Sequence, residues 1–227
     1  NGSIAVILCH SPKKEYLKRL LHDPLPVESH LNHYLHDHLN AEIVTKTIEN
    51  KQDAVDYMTW LFLYRRLVQN PNYYNLDGTT HRHLSDYLSE LVENVIGNLA
   101  ESKCIEVDEE SEIDLSPCNL GMISSYYYMS YTTVELYGAS VSAKSKIRGL
   151  MEILSASTEF VSISMRQNED NQLQRLSKHL PLALPNEAKY DEVSTKVNIL
   201  LQSYFSRFPL PADLMHDLNT VVLKNAC

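Results

Sequence analysis

The stretch Pro24–Tyr74 reads PLPVESHLNHYLHDHLNAEIVTKTIENKQDAVDYMTWLFLYRRLVQNPNYY. Leu31, Leu35 and Leu39 recur at a four-residue spacing from Glu28 onward, which is a helical period. Asn50 is placed to cap a second helix running to about Val68, with Asp53 in its first turn, where the amide dipoles favour a carboxylate. The apolar residues of that helix are Ala54, Val55, Met58, Leu61, Phe62 and Leu63, with Trp60 beside them. So wide a stripe predicts burial on more than one side. Asn70-Pro71-Asn72 ends the pattern, because proline cannot continue a helix interior.

Outward from this run the pattern stays helical. Asp77-Gly78 makes a turn, and Leu84, Leu88, Leu91, Val95 and Leu99 form a clean stripe ending near Ser102. Cys104–Val107 and Glu112–Leu115 then alternate as two short strands around a polar turn, Asp108 to Ser111. Helices followed by a small hairpin outline a winged helix. Gly121–Gly138 is ambiguous: Tyr126-Tyr127-Tyr128 and Thr132-Thr133-Val134 have strand propensity. Yet Met122, Tyr126, Met129, Thr133 and Leu136 repeat at helical spacing, so one helix is expected there, with much of the tyrosine group in a core. Further helices carry Ile147, Leu150, Met151 and Leu154; Leu173, Leu176 and Leu180; Val193, Val197, Leu200, Leu201, Tyr204 and Phe208; and Leu214, Leu218, Val221 and Val222. The fold class that follows is mostly α: a winged helix with its hairpin, then an incomplete helical bundle. Upstream, Ile4–Cys9 is a short continuous apolar run that reads as a buried strand. No neighbouring strand is in view for it, and position 1 is not Met. The expectation is a piece of a longer chain whose sheet lies upstream.

The chain has 227 residues, 44% of them hydrophobic and 22% charged, ordinary for a globular protein of one or two domains. Acidic residues number 29 against 20 basic ones, a net charge of −9. A surface that grips phosphates broadly leans basic, so the chain as a whole is a poor free nucleic-acid binder. Its four cysteines, Cys9, Cys104, Cys118 and Cys227, are widely spaced with no CxxC, and read as free thiols in a reducing compartment. The longest apolar run is six residues, Ile4 to Cys9, too short to span a membrane or serve as a signal segment. A cytosolic or nuclear location without membrane contact is expected.

Motifs that carry chemistry are sparse. His30, His33, His36 and His38 crowd one stretch without the HExxH spacing, so a solvated face is favoured over a metal site. Asp108-Glu109-Glu110-Ser111 resembles a magnesium-holding DExx motif superficially. That motif works with a GxxxxGK[ST] loop upstream, and the six glycines form none. No GxSxG occurs. No catalytic, cofactor-binding or metal-binding residue is assigned. Arg65-Arg66 sits on an apolar helix, where pairing with an acid is favoured over RNA contact. Lys144, Lys146 and Arg148 form the clearest basic cluster, open to phosphate contact as well as to plain solvation.

Longer strings decide the family-level reading. AVILCHSPKKEYLKRLLHDPLPVESHL (Ala5 to Leu31), LNAEIV (Leu39 to Val44), ENKQDAVDYMTW (Glu49 to Trp60), NPNYYNL (Asn70 to Leu76), HRHLSDYLSELVE (His81 to Glu93), SKCIEV (Ser102 to Val107), LSPCNLGMISSYYYMSYTTVEL (Leu115 to Leu136), KSKIRGLMEILSASTEF (Lys144 to Phe160) and STKVNILLQSYFSR (Ser194 to Arg207) resemble the spliceosomal tandem-cassette DExH-box RNA helicases. The resemblance weakens over Arg166–Asp191 and after Phe208. It implies three parts: residues 1–28 as the tail of an upstream RecA-like motor domain, 29–118 as the winged helix, and 119–227 as the opening helices of a ratchet-type bundle. NPNYYNL and HRHLSDYLSELVE look most like the second, C-terminal cassette, implied to be a weak or inactive motor that supports the active one and docks partner proteins. The implied function is a non-catalytic accessory region of a nuclear ATP-dependent RNA helicase, bracing motor domains and RNA channel during pre-mRNA splicing. ATP and magnesium are implied for the parent enzyme only. The implied partners are the motor domains and spliceosomal proteins, with Arg65, Arg66, Lys144, Lys146 and Arg148 as candidate RNA or inter-domain contacts. The alternative is a truncated paralogue or an independent winged-helix protein-interaction module.

Overall fold

A computed structural model describes residues 4–22, 27–108, 110–185 and 188–225. The apolar run Ile4–Cys9 is not a strand. It is irregular, with Ile4 92%, Val6 77% and Leu8 93% exposed. Strand propensity is realised only when another strand supplies hydrogen bonds, and none does so among the described residues. Helix α1 (Lys14–His22) follows and buries no residue.

The winged helix comes next. After a 3₁₀ turn at Leu31–His33, α2 (Leu35–Val44) buries Leu35, Leu39 and Ile43. Asn50 caps α3 (Lys51–Trp60), accepting the Asp53 N–H at 2.8 Å, while Asp53 accepts the Glu49 N–H at 3.2 Å. The helix expected to reach Val68 breaks at Leu61, which is extended (φ −81°, ψ 158°), and resumes as α4 (Phe62–Gln69). Spacing explains the break. Ala54 and Met58 are four apart and fully buried, as are Leu63 and Leu67, but Met58 and Leu63 are five apart. Five positions along one helix differ by about 140° in direction. Breaking the helix returns both pairs to one core. Trp60 and Phe62 flank the break and are 85% and 53% exposed, so the stripe does not bury on two sides as its width predicted.

Helix α5 (His81–Glu101), capped by Thr80, lays Leu84, Leu88, Val92, Val95, Ile96 and Leu99 on that core. The hairpin pairs β1 (Ile105–Val107) with β2 (Leu115–Pro117) antiparallel, Glu106 opposite Ser116. The second strand lies later than Glu112–Leu115, because residues 108–114 close the turn. There the Asp108 carboxylate accepts the Ser111 N–H at 2.9 Å, and Ser111 Oγ accepts the Asp114 N–H at 3.0 Å. The extended residues before α3 add to the far side of β2: Leu115 N donates to Glu49 O and Lys51 N to Ile113 O.

The remaining helices are α6 (Asn119–Tyr127), α7 (Tyr131–Ser140), α8 (Ile147–Ser155), α9 (Glu169–Ser177), α10 (Val193–Phe205), α11 (Ala212–Asp217) and a last turn α12 (Leu223–Asn225), with a π-turn at Leu218–Val222 before it. Gly121–Gly138 is therefore two helices, not one. Tyr128, in the left-handed region at φ 55°, ends α6. Tyr126, Tyr127 and Tyr128 are 69%, 73% and 95% exposed, so that group is not core. A second core gathers around α10, whose residues from Thr195 to Ser203 are all buried; Tyr204, expected on its buried stripe, is exposed.

Helix α6 lies on α2, and Leu120 of α6 packs against the first core. A Cβ on Gly121 would stand 2.1 Å from the Cys104 carbonyl oxygen and 2.6 Å from Asn40 Oδ1. The α6 backbone therefore approaches the backbone at Cys104 too closely for any side chain at position 121. Gly97, on α5, has nothing within 4 Å of its own Cβ position. Two opposite outcomes follow for one change. Gly121→Ala should destabilise the chain by about 1–3 kcal/mol or more through overpacking, and Gly97→Ala should stabilise it by up to about 1 kcal/mol through helix propensity. Urea unfolding of both variants checks this, and equal effects would contradict the close approach.

Candidate functional site

The five predicted cations divide into three situations. Arg66 is half-buried and committed. Its Nη2 donates to Glu28 Oε1 at 2.6 Å and its Nε to Glu28 Oε2 at 3.0 Å. Asn70 Nδ2 and the Tyr74 hydroxyl donate to the same carboxylate at 2.8 and 3.1 Å. These hydrogen bonds, led by Arg66, hold the Glu28 carboxyl down from its ordinary 4.5 to about 2. Arg66 thus fastens the chain before α2 to α4. Arg65, next to it, is exposed. Lys144, Lys146 and Arg148 are also exposed. Arg148 is partly engaged by Glu152 at 3.0 Å and by the Leu184 carbonyl at 3.2 Å. Lys144 and Lys146 precede the first turn of α8, where Lys146 is the N-cap residue. Two ammonium groups at the positive end of a helix dipole leave that corner favourable to an anion.

The joint of α2 with α6 and α7 has its own polar set, which sequence reasoning missed. Asn40 on α2 is fully buried, and its Nδ2 donates to the Gly121 carbonyl at 3.0 Å and to Ser124 Oγ at 3.3 Å. Two carboxylates from opposite sides meet the start of α7. Asp37 Oδ1 accepts the Tyr131 N–H at 2.8 Å, and Glu159 Oε1 accepts the Ser130 N–H at 3.0 Å. Glu159 Oε2 also accepts the Thr133 hydroxyl at 2.6 Å. His36 stacks on Tyr131, with ring centroids 4.8 Å apart. Burial pushes the Asp37 carboxyl above its ordinary value, against the pull of the Tyr131 N–H. It pushes the His36 imidazole down, so the ring stacks as the neutral form near pH 7.

A third cluster lies inside the second core. Lys196, with no exposure, donates from Nζ to Asp217 Oδ2 at 2.7 Å, Glu169 Oε2 at 2.8 Å and the Ser164 carbonyl at 3.0 Å, using all three protons. Arg166 grips Asp217 with both terminal nitrogens at 2.6 Å and reaches Glu169 Oε1 at 3.0 Å. Burial alone would raise the Asp217 pKa, but the bonds from Arg166 and Lys196 outweigh it and hold the group low. Arg166 and Glu169 are three apart in sequence, but Lys196 on α10 and Asp217 on α11 reach them only through the fold.

Residues 28–109 match the model of a winged helix-turn-helix domain, and residues 117–227 match that of the Sec63 Brl domain. The human U5 small nuclear ribonucleoprotein 200 kDa helicase is 55% identical over 219 residues, 96% of this chain and 10% of its own length. Its Caenorhabditis elegans counterpart is 56% identical, covering 98% of this chain and 10% of its own length. A Dictyostelium discoideum protein, "Activating signal cointegrator 1 complex subunit 3-like", is 54% identical over 97% of this chain and 10% of its own length. The chain belongs to this helicase family. It covers the winged-helix and Sec63 region and spans about a tenth of the length of the relatives it matches.

Within that family setting, the described residues hold no group of three His, Cys, Asp or Glu side chains converging as metal ligands; His30 and His33 merely stack at 6.5 Å. One hollow, about 450 Å³, is an open groove beside the exposed tyrosines, lined by Tyr127, Tyr128, Tyr137, Phe160 and Lys224 among others. Tyr137 and Glu159 there are already paired, to Ser157 and to Ser130 and Thr133.

Two expected outcomes test the ionic clusters. Because its pKa falls on folding, Glu28 contributes fully above its unfolded value near 4.5 and loses that contribution as the pH drops toward 2. Glu28→Gln should therefore flatten the acid limb of the stability curve over that interval, read by circular dichroism of urea unfolding at stepped pH; an unchanged limb would mean the clasp does not form. Lys196→Met leaves two buried carboxylates to share the single cation Arg166 and should cost about 3–5 kcal/mol in the same assay.

Proposed function

We propose that this chain works as the non-catalytic accessory region of a spliceosomal ATP-dependent RNA helicase. In this reading it braces the motor domains and the RNA channel and docks partner proteins during pre-mRNA splicing, in the nucleus. ATP and magnesium belong to the motor domains of the parent, and residues 1–28 are the exit from the second of these. The cassette it serves is the second, C-terminal one.

The observation that carries the reading is the joint. Asn40 holds the backbone of α6 against α2, while Asp37 and Glu159 hold the start of α7 from two sides. A winged helix whose side chains grip the backbone of the first bundle helices transmits force as one piece, which is what a brace needs. Exposed apolar residues support the docking part: Trp60 and Phe62 at the α3–α4 break, and Ile4, Val6 and Leu8 upstream. RNA contact in this reading falls to Lys144 and Lys146 at the start of α8, with Arg148 beside them, and not to Arg66.

A second reading, an independent winged-helix protein-interaction module, draws on the same Trp60 and Phe62 exposure. Free DNA reading fits neither, since α5 carries Asp86, Glu90 and Glu93 where a recognition helix presents cations.

The purified chain should hydrolyse no ATP above background; turnover would overturn the accessory reading. Lys144→Glu with Lys146→Glu should weaken single-stranded RNA binding by the helicase that contains this region and reduce the slope of log affinity against log salt by about 1 or more, as each lost phosphate contact requires. A slope that does not change would remove these lysines from the RNA path.

A further inference from the structure

We propose that Cys104 and Cys118 form a redox-modification site, a thiol pair across the neck of the hairpin that closes to a disulfide under a disulfide oxidant. The register places them. Ile105 pairs with Pro117, so one step outward sets Cys104 opposite Cys118. The backbone keeps this pairing, because the Cys118 N–H donates to the Cys104 carbonyl at 2.9 Å. The neighbouring bond from Asp108 N to Asp114 O puts the hydrogen-bonded positions at every second pair, and 104 with 118 falls in that phase. Opposed residues of an antiparallel ladder project to the same face, and at hydrogen-bonded positions their Cα atoms stand about 5.5 Å apart. Protein disulfides span about 4.4–6.8 Å between Cα atoms. Both thiols are free.

The two sulfurs have different access. Cys104 is fully buried, while Cys118 is half-buried at the N-cap of α6. Burial holds both thiols above their ordinary pKa, so both rest protonated at neutral pH and exposure decides which reacts first. The Cys118 thiolate attacks one sulfur of oxidised glutathione and expels one glutathione thiolate. The Cys104 thiolate then attacks Cys118 Sγ and expels the second. Two protein thiols lose two protons and two electrons, and the oxidant leaves as two reduced thiols. In a reducing compartment such a bond is transient, which suits a sensor rather than a structural staple.

The consequence reaches the joint. The Cys104 carbonyl is the atom against which Gly121 packs, and Cys118 begins the helix that carries Gly121. Closing the bond ties the hairpin neck to the first turn of α6 and holds that seat covalently.

The test uses the full chain carrying Cys9→Ser and Cys227→Ser, incubated in glutathione buffers of stepped oxidation. Expected are the loss of two hydrogens by intact mass, a peptide linking Cys104 to Cys118, and a midpoint of thermal unfolding raised by about 6–12 °C, as closure of a loop of about 15 residues requires. Added dithiothreitol should reverse all three. A variant that also carries Cys118→Ser, at the more accessible position, should fold and show none of them. A stable glutathione adduct at Cys118 without the cross-link, or two thiols still free at the most oxidising poise, would overturn the proposal.

Discussion

The Asn40 side chain ties α2 to the α6 backbone at Gly121, where the backbone at Cys104 leaves no room for a side chain. The amide of Asn40 holds the Gly121 carbonyl at 3.0 Å, and the Cβ position of Gly121 is already filled by the Cys104 carbonyl. Everything downstream inherits this seat. It sets the direction of α6, hence where Tyr128 ends that helix, hence where α7 begins between Asp37 and Glu159. Leu120 and Tyr131, on α6 and α7, pack against the first core in consequence. A polar side chain in this place specifies one alignment more sharply than an apolar contact would, because a slid helix would leave the buried amide unpaired.

The charged residues play a comparable part. Glu28 with Arg66, and Lys196 with Glu169, Asp217 and Arg166, each join elements distant in the chain. Burying such charges gains little net stability over an apolar packing of the same shape, but it penalises every arrangement that separates them. The π-turn after Asp217 belongs to the same logic. Leu214, Leu218 and Val222 are all buried at a four-residue spacing. An α-helix would have drifted by about 80° over those eight residues; the wider π-turn keeps all three on the core while Asp217 stays with Lys196.

These devices are those of a rigid piece rather than of a reactive one. Among the described residues every buried side-chain polar atom but Asn40 Oδ1 has a hydrogen-bond partner, and the exposed features include Trp60 and Phe62 at a helix break, the tyrosines at the end of α6, and Lys144 and Lys146 before α8. Such a distribution fits a part that is gripped by neighbours on its outside while its inside holds shape.

The sequence by itself determined the mostly helical class, the hairpin after α5 and the family, because helical periods, caps and long ungapped strings are local properties. Asn50 and Thr80 as caps and the stripe of α5 were readable for that reason. What only the tertiary structure decided were the outcomes of competition between distant groups. Ile4–Cys9 has the composition of a strand and is none here, since a strand is made by its partner. Trp60 and the Tyr126–Tyr128 group have the composition of a core and lie outside it, since a core has finite volume and the helix breaks at Leu61 and Tyr128 turn them away. Arg66 and Lys144 look alike as letters; one is fastened to Glu28 and the other is free to meet an anion, because charge pairing depends on where a chain returns in space and no spacing along it records that.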